Sequence, residues 1–256
     1  MKLFAIHGGG ERADMAAFNP FDEKVGTKVD IPYFFYVIEH PKGLVLFDTG
    51  GHPDLFENPR LRLGDAADVW EVTGVPGDDV VSKLAEMKLK PTDIGQVVQS
   101  HLHYDHAGGL QFFKHATVYV QKSELEFAYS PPVYQKDLYI RDDFDHKLEW
   151  VSLEGSHDVF GDGRLVIFPT PGHTRGHQSM LVKLEAQNII LVADAAYIPK
   201  NMEQRLLTAV VWSPDAMVAS WERIEEVQAR ENAKLIFTHD LDWSSKTRLA
   251  PKEWYE

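Results

Sequence analysis

The sequence predicts a mixed α/β fold, two sheets with helices outside them, and three observations carry that reading. Short apolar runs rich in Val, Ile, Leu and Phe recur from one end of the chain to the other. Helical patterns separate some of these runs and not others, so strands come both as neighbouring pairs and in β-helix-β order. The 256 residues, 44% of them hydrophobic and 11% aromatic, are enough to bury a full core. No repeat, low-complexity tract or Pro/Gly-rich linker divides the chain, so residues 1–256 are expected to form a single domain.

In chain order the expected strands are LFAI (3–6), YFFYVI (33–38), LVLF (44–47), VVQ (97–99), TVYV (117–120), LVIF (165–168), MLVKL (180–184), IILVA (189–193) and KLIF (234–237), each of strand length and composition. The expected helices are DDVVSKLAEMK (78–88), KSELEFAY (122–129) and SPDAMVASWERIEEVQARE (213–231). In the last, Ser213 can cap the N-terminus and Pro214 suits the first turn, while Met217, Trp221, Ile224 and Gln228 fall on one face. The stretch from Gly50 to Gly77 is the least regular and reads equally as a pocket wall or a solvated loop.

Charge and cysteine content narrow the chemistry. Lys and Arg total 26 against 39 Asp and Glu, a formal charge of -13, and no basic run interrupts the acidic balance. Such a surface repels a phosphate backbone, so nucleic acid is not an expected partner. With no cysteine, disulfides, thiol nucleophiles and thiolate metal sites are excluded together, and any metal must be held by His, Asp or Glu. The start, MKLFAIHGGGERAD, is too short in apolar residues for a signal peptide or a membrane span. A cytoplasmic protein with no membrane partner is therefore expected.

The stretch SHLHYDHAGGL (100–110) is where the chemistry concentrates. If QVVQS is a strand, its extended continuation puts His101 and His103 on one side, where both can reach one ion. Asp105 and His106 follow at a turn, placed for a second ion, and Gly108 and Gly109 let the backbone pass close by. With 12 His in the chain, the pattern His-x-His-x-Asp-His should arise by chance in roughly one such sequence in several hundred. Four ligands do not complete two coordination shells, so further His or Asp residues are required at strand ends. His173 follows LVIFPTPG, Asp194 follows IILVA, and His239 follows KLIFT.

These residues resemble the ligand pattern of the metallo-β-lactamase superfamily. Within it, SHLHYDHAGG, TPGHTRGHQS (170–179), the unit Asp194-Ala195-Ala196-Tyr197 and FTHD (237–240) together resemble the N-acyl homoserine lactone lactonases, the quorum-quenching enzymes. The matched motifs run from Asp48 to Asp240. The resemblance implies a four-layer αββα sandwich of two mixed β-sheets flanked by helices. It implies a first metal on His101, His103 and His173, a second on Asp105, His106 and His239, and Asp194 bridging them. Two Zn2+ ions per chain are the expected cofactor, although Co, Mn or Fe would suit the same ligands. Iron flavoproteins of the superfamily commonly carry Glu where this chain has His103.

The implied reaction is opening of the lactone ring by a hydroxide bridging the two metals. The Tyr197 hydroxyl would steady the developing oxyanion, and Asp105 would pass a proton to the leaving alkoxide. Asp48, in LVLFDTGG, matches a superfamily position that orients a ligand histidine; an Asp opening a glycine turn is the local alternative. His177 belongs to the family pattern as a structural residue. Met15, Phe18, Phe21 and Trp70 are candidates for the wall of an acyl-chain trough.

Rival activities on the same scaffold stay open at this point: a 4-pyridoxolactonase or other small-lactone hydrolase, a glyoxalase II type thioesterase, or an organophosphate hydrolase. A nuclease is disfavoured by the acidic surface, and a closed structural metal site by the lack of sulfur ligands. Whether the chain forms a homodimer is not legible in the sequence.

Overall fold

The computed structural model describes residues 1–256. Its strands are β1 (Lys2–Asp14), β2 (Lys28–His40), β3 (Gly43–Phe47), β4 (Glu71–Val72), β5 (Ile94–Val98), β6 (Thr117–Gln121), β7 (Glu149–Leu153), β8 (His157–Asp158), β9 (Leu165–Pro169), β10 (Gln178–Lys183), β11 (Asn188–Leu191) and β12 (Ala233–Ile236). Seven of them form one sheet in the order β4-β1-β2-β3-β5-β6-β7, and five form a second in the order β12-β11-β10-β9-β8. Both sheets are mixed. In the first, β1, β2 and β3 pair antiparallel while β3, β5, β6 and β7 run parallel. In the second only the β11–β12 pair is parallel.

The helices are α1 (Pro53–Glu57), α2 (Pro59–Leu63), α3 (Val80–Glu86), α4 (Tyr104–Ala107), α5 (Lys122–Tyr129), α6 (Arg141–Phe144), α7 (Pro199–Glu203), α8 (Pro214–Glu231) and α9 (Leu241–Ser244). None is long and apolar enough to cross a membrane. The period-two geometry of the strands explains the layering. On β2, Phe34, Tyr36 and Ile38 meet Ile167 of β9, Met180 and Val182 of β10 and Leu191 of β11 between the sheets. The alternate residues Phe35 and Val37 pack outward with Val80 and Leu84 of α3 and Phe127 of α5. A strand covered on both faces has no polar alternation to show, which is why YFFYVI reads as one unbroken apolar run. On the far side, Phe168, Leu181 and Ile190 of the second sheet pack against Met217, Trp221, Ile224 and Val227 of α8. The order is helix, sheet, sheet, helix.

Every expected strand and helix is present, and the differences have local causes. β1 does not stop after LFAI but continues to Asp14, with a register shift between His7 and Gly10. The glycine triplet that follows LFAI forms a kink within a paired strand. The buried face of α8 takes in Val227 where Gln228 was expected; the apolar side chain wins the inward position. Between Gly50 and Gly77 the chain folds into α1, α2 and β4, and Leu55, Phe56 and Leu63 pack onto Tyr33 and Tyr104. That stretch is folded onto the sheet, and its Trp70 lines the cavity of the site.

Candidate metal centre

The candidate site forms where parallel and antiparallel strands run out at one edge of the two sheets. Beyond β5 the chain runs through Ser100 to His103, and α4 then turns Asp105 and His106 back towards His101. His173 lies in the connection from β9 to β10, Asp194 just past β11 and His239 just past β12. The turn at α4 needs glycine at Gly108, where an added Cβ would lie 2.1 Å from the backbone nitrogen of His52. The ion-binding candidates are thus held by sheet ends and a backbone contact that no side chain permits.

The seven expected ligands converge. The nitrogen and oxygen atoms of His101, His103 and His173 lie within 4.8 Å of one another, and so do those of Asp105, His106 and His239. Asp194 stands between the two groups: Oδ2 is 3.4 Å from His173 Nε2, while Oδ1 is 3.2 Å from His106 Nε2 and 3.1 Å from His239 Nε2. His103 Nδ1 faces His173 Nε2 at 3.0 Å. Ligands about 2.0–2.1 Å from one tetrahedral ion stand roughly 3.3 Å apart, so these separations suit a shared cation. The Nε2 atoms of His101 and His106 and Oδ1 of Asp194 are buried and have no hydrogen-bond partner in the protein. Each such atom costs about 1–3 kcal/mol unless something pairs with it. A metal ion offsets that cost, and an all-N/O donor set suits zinc, cobalt, manganese or iron.

Of the remaining ring nitrogens, those of His106, His173, His239 and His101 are tied down, while His103 Nε2 is buried without a partner. His106 Nδ1 donates to Asp48 Oδ2 at 2.8 Å, His173 Nδ1 to the Val210 carbonyl at 3.0 Å, and His239 Nδ1 to the Pro32 carbonyl at 2.8 Å. His101 Nδ1 lies 3.0 Å from Ser100 Oγ. Such contacts fix which nitrogen faces a metal. Asp48 also accepts from Ser100 N at 2.7 Å and Ser100 Oγ at 2.8 Å, and it does so from a left-handed backbone, φ 59°. Ala193, next to Asp194, is likewise left-handed at φ 49°. Backbone strain therefore gathers beside the two buried carboxylates.

Electrostatics follow from burial and neighbours. Burial, then the neighbouring imidazoles, holds His101 and His103 well below the usual histidine range, and burial lowers His173. For His106 burial acts downward, but the carboxylates of Asp105, Asp194 and Asp48 outweigh it and raise it well above that range. At His239 burial is likewise overcome by Asp194 and Asp105. At Asp194, burial pushes upward and is outweighed by His239 and His106, which hold it well below the carboxylate range. The negative field that favours a proton on these rings also favours a divalent cation between them.

Tyr197 is buried, and its ring stands edge-on to His239 at 5.0 Å and to Phe18 at 5.8 Å. Burial, followed by the charges of Asp194 and Asp105, raises its hydroxyl well above the usual phenol range, so it stays a donor. That hydroxyl makes no hydrogen bond within the protein. It opens onto a cavity lined by Glu11, Ile31, Trp70, His103, Tyr104, Asp105, Leu138, Asp194, Tyr197, Val210 and His239. Trp70 is therefore on the cavity wall, with Met15 and Phe18 packed behind Tyr197 in one apolar cluster. Phe21 is 92% exposed and lies outside that cluster.

Three further residues brace the site, of which Glu124 and Glu11 were not picked out from sequence. His177, expected to be structural, accepts the Asp194 N–H at Nε2 (3.0 Å) and bonds Thr170 through Nδ1; burial, then His173, holds it down to about 3. Glu124 is buried on α5 and accepts from Leu102 N, Gly176 N, Thr174 Oγ1 and Tyr139 Oη, tying the His101–His103 segment to the His173 loop. Glu11 accepts from both Tyr33 Oη and Tyr104 Oη. Burial, then the charge of Asp105, pushes it up to about 7 against those hydrogen bonds and His239. In the sequence both glutamates sit among charged neighbours and carry no signal of burial.

Comparison with known proteins decides the family. The family model described as the metallo-beta-lactamase superfamily matches residues 30–239. The chain belongs to that superfamily. It is similar to the N-acyl homoserine lactonase AttM of Rhizobium radiobacter, 35% identical over 233 residues and covering 89% of each chain. With the N-acyl homoserine lactonase AiiA of Bacillus thuringiensis subsp. kurstaki it shares 29% over 253 residues, 98% of each. Among solved structures, an N-acyl homoserine lactone hydrolase with the product N-hexanoyl-L-homoserine bound at its catalytic metal center matches at a TM-score of 0.90 and 27% identity, over 99% of this chain and 98% of that one.

Proposed function

We propose that this chain is a metal-dependent hydrolase that opens the lactone ring of N-acyl homoserine lactones, the activity named in its AttM and AiiA relatives. The observation that carries the reading is the convergence of seven His and Asp ligands beneath a cavity into which the unpartnered Tyr197 hydroxyl opens. On this reading His101, His103 and His173 hold one ion, Asp105, His106 and His239 hold the other, and Asp194 is shared. When bound, a pair of divalent ions lowers the pKa of a shared water towards about 7 and polarises an ester carbonyl, with zinc the expected metal.

The protein's own groups do the rest. The Tyr197 hydroxyl donates to the oxygen on which charge develops as the carbonyl is attacked. Asp105 has one carboxylate oxygen, Oδ2, facing His106 and His239 at 3.2 and 3.7 Å. Its other oxygen is free to take the proton of the attacking water and return it to the departing ring alkoxide. Ile31, Trp70, Leu138 and Val210 supply an apolar wall for the acyl chain.

The test is proton release on N-hexanoyl and N-decanoyl homoserine lactones beside a plain γ-lactone, with a chelated sample as control. Metal-dependent ring opening that favours the acylated substrates is expected. Faster turnover of the plain lactone would transfer the reading to another small-lactone hydrolase of the same fold.

A further inference from the structure

Glu11 has no part in the ligand set or the proton relay, yet it is a carboxylate on the wall of the same cavity. It sits on the extension of β1, opposite Ile31 of β2 and Val72 of β4, and is 5% exposed. Two hydroxyls, Tyr33 Oη and Tyr104 Oη, converge on one of its oxygens, Oε2, each at 2.5 Å. Oε1 accepts no hydrogen bond from the protein. No Lys or Arg pairs with the group either, the adjacent Arg12 being bound to Asp30 on the surface. A carboxylate buried without an ion-pair partner and satisfied on one oxygen alone is a costly thing to hold beside a substrate cavity. The tyrosine pair fixes its direction, and the free oxygen shares the cavity with Asp105, Tyr197 and His239.

An N-acyl homoserine lactone with an unsubstituted chain has a single hydrogen-bond donor, the amide N–H. That nitrogen is bonded to the carbon next to the reacting carbonyl, so with the ester at Tyr197 the N–H reaches the adjoining wall. Ring and acyl oxygens are acceptors and have nothing to offer a carboxylate. We propose that Glu11 determines substrate specificity: its free Oε1 accepts the amide N–H and selects N-acylated lactones over lactones that lack that donor. This rests on the lactonase reading and adds to it a discriminating residue. Both hydroxyls donating to Oε2 keep the carboxylate an acceptor, and a site built to pair a substrate N–H discriminates strongly against an analogue without one.

The experiment compares kcat/KM at pH 8 for N-hexanoyl homoserine lactone and for its analogue with CH2 in place of the N–H. The metal-loaded wild type is expected to prefer the amide by about 10- to 100-fold, the range for a hydrogen bond to a charged group. In Glu11→Gln the side-chain oxygen still takes the tyrosine hydroxyls while an NH2 faces the cavity, and the preference should fall below about threefold. Inhibition of the wild type by the ring-opened N-hexanoyl-L-homoserine and by its CH2 counterpart needs no variant, and the amide should bind at least about 10-fold tighter. Equal turnover of both lactones by the wild type, equal inhibition, or an unchanged preference in Glu11→Gln overturns the assignment and leaves Glu11 as a brace for the two tyrosines. Failure of the wild type to open either lactone instead brings down the lactonase reading itself.

Discussion

Replacing Asp48 by Asn isolates what one carboxylate does for the metal centre. Asp48 Oδ1 takes the Ser100 N–H at 2.7 Å, and Oδ2 takes both Ser100 Oγ and His106 Nδ1 at 2.8 Å. The amide is of the same size, and Asn accepts the left-handed backbone at φ 59° as readily as Asp, so the turn itself is spared. One acceptor nevertheless becomes a donor. Either Ser100 N–H or His106 Nδ1–H then loses its partner in a fully buried setting, at about 1–3 kcal/mol. If His106 bears the loss, its Nε2 is no longer held towards Asp105 and Asp194, and the ion it would share with His239 should bind about 10- to 100-fold more weakly. The assay is zinc transfer to a chromophoric chelator, with kcat measured at saturating metal. Unchanged affinity for both ions would refute the argument and leave Asp48 as no more than the residue that opens the glycine turn.

Three further outcomes follow from the same geometry. Tyr197→Phe should keep its metal content yet lose about 10- to 100-fold in kcat, as for one lost oxyanion donor; unchanged turnover removes Tyr197 from the chemistry. Gly108→Ala drives a Cβ to 2.1 Å from His52 N and 2.5 Å from Gly51 C, both backbone atoms. It should cost about 3 kcal/mol and lower Tm by roughly 6–12 °C in calorimetry. Acid should destabilise the chelated protein in part through His177, which lies near 3 when folded and at the ordinary 6.5 when unfolded. Below pH 6.5 the unfolded chain binds the extra proton, so the contribution is whole above that pH and is lost at about 1.4 kcal/mol per unit as pH falls. Urea unfolding at pH 6.5 and 5.5 should therefore show His177→Gln less pH-sensitive than the wild type by about 1 kcal/mol, since the unfolded imidazole is already half protonated at pH 6.5, and identical slopes would contradict it.

What the sequence revealed and concealed has physical reasons. The convergence of His101, His103, Asp105 and His106 was legible because four candidate ligands crowd one strand end and its turn, and that of His173, Asp194 and His239 because each closes an apolar run. The central strands were legible because sheet and helix cover both their faces. Glu11 was not, because a glycine triplet that ordinarily breaks a strand here bends one, and pairing with β2 decides the matter. Glu124 was hidden because a charged residue on KSELEFAY looks solvated until the loop around Gly176 closes over it. Phe21 reads as a wall residue by type alone, but nothing local told that its side chain would stand in solvent while Phe18 turned inward.

The most direct test of the account is metal titration of the chelated protein while ring opening of N-hexanoyl homoserine lactone is followed by proton release. Negligible turnover is expected without metal, with activity that rises with added zinc and levels off at about two ions per chain, the number two three-ligand groups sharing Asp194 would hold. Turnover that is indifferent to metal, or two tightly bound ions with no ring opening, would contradict it.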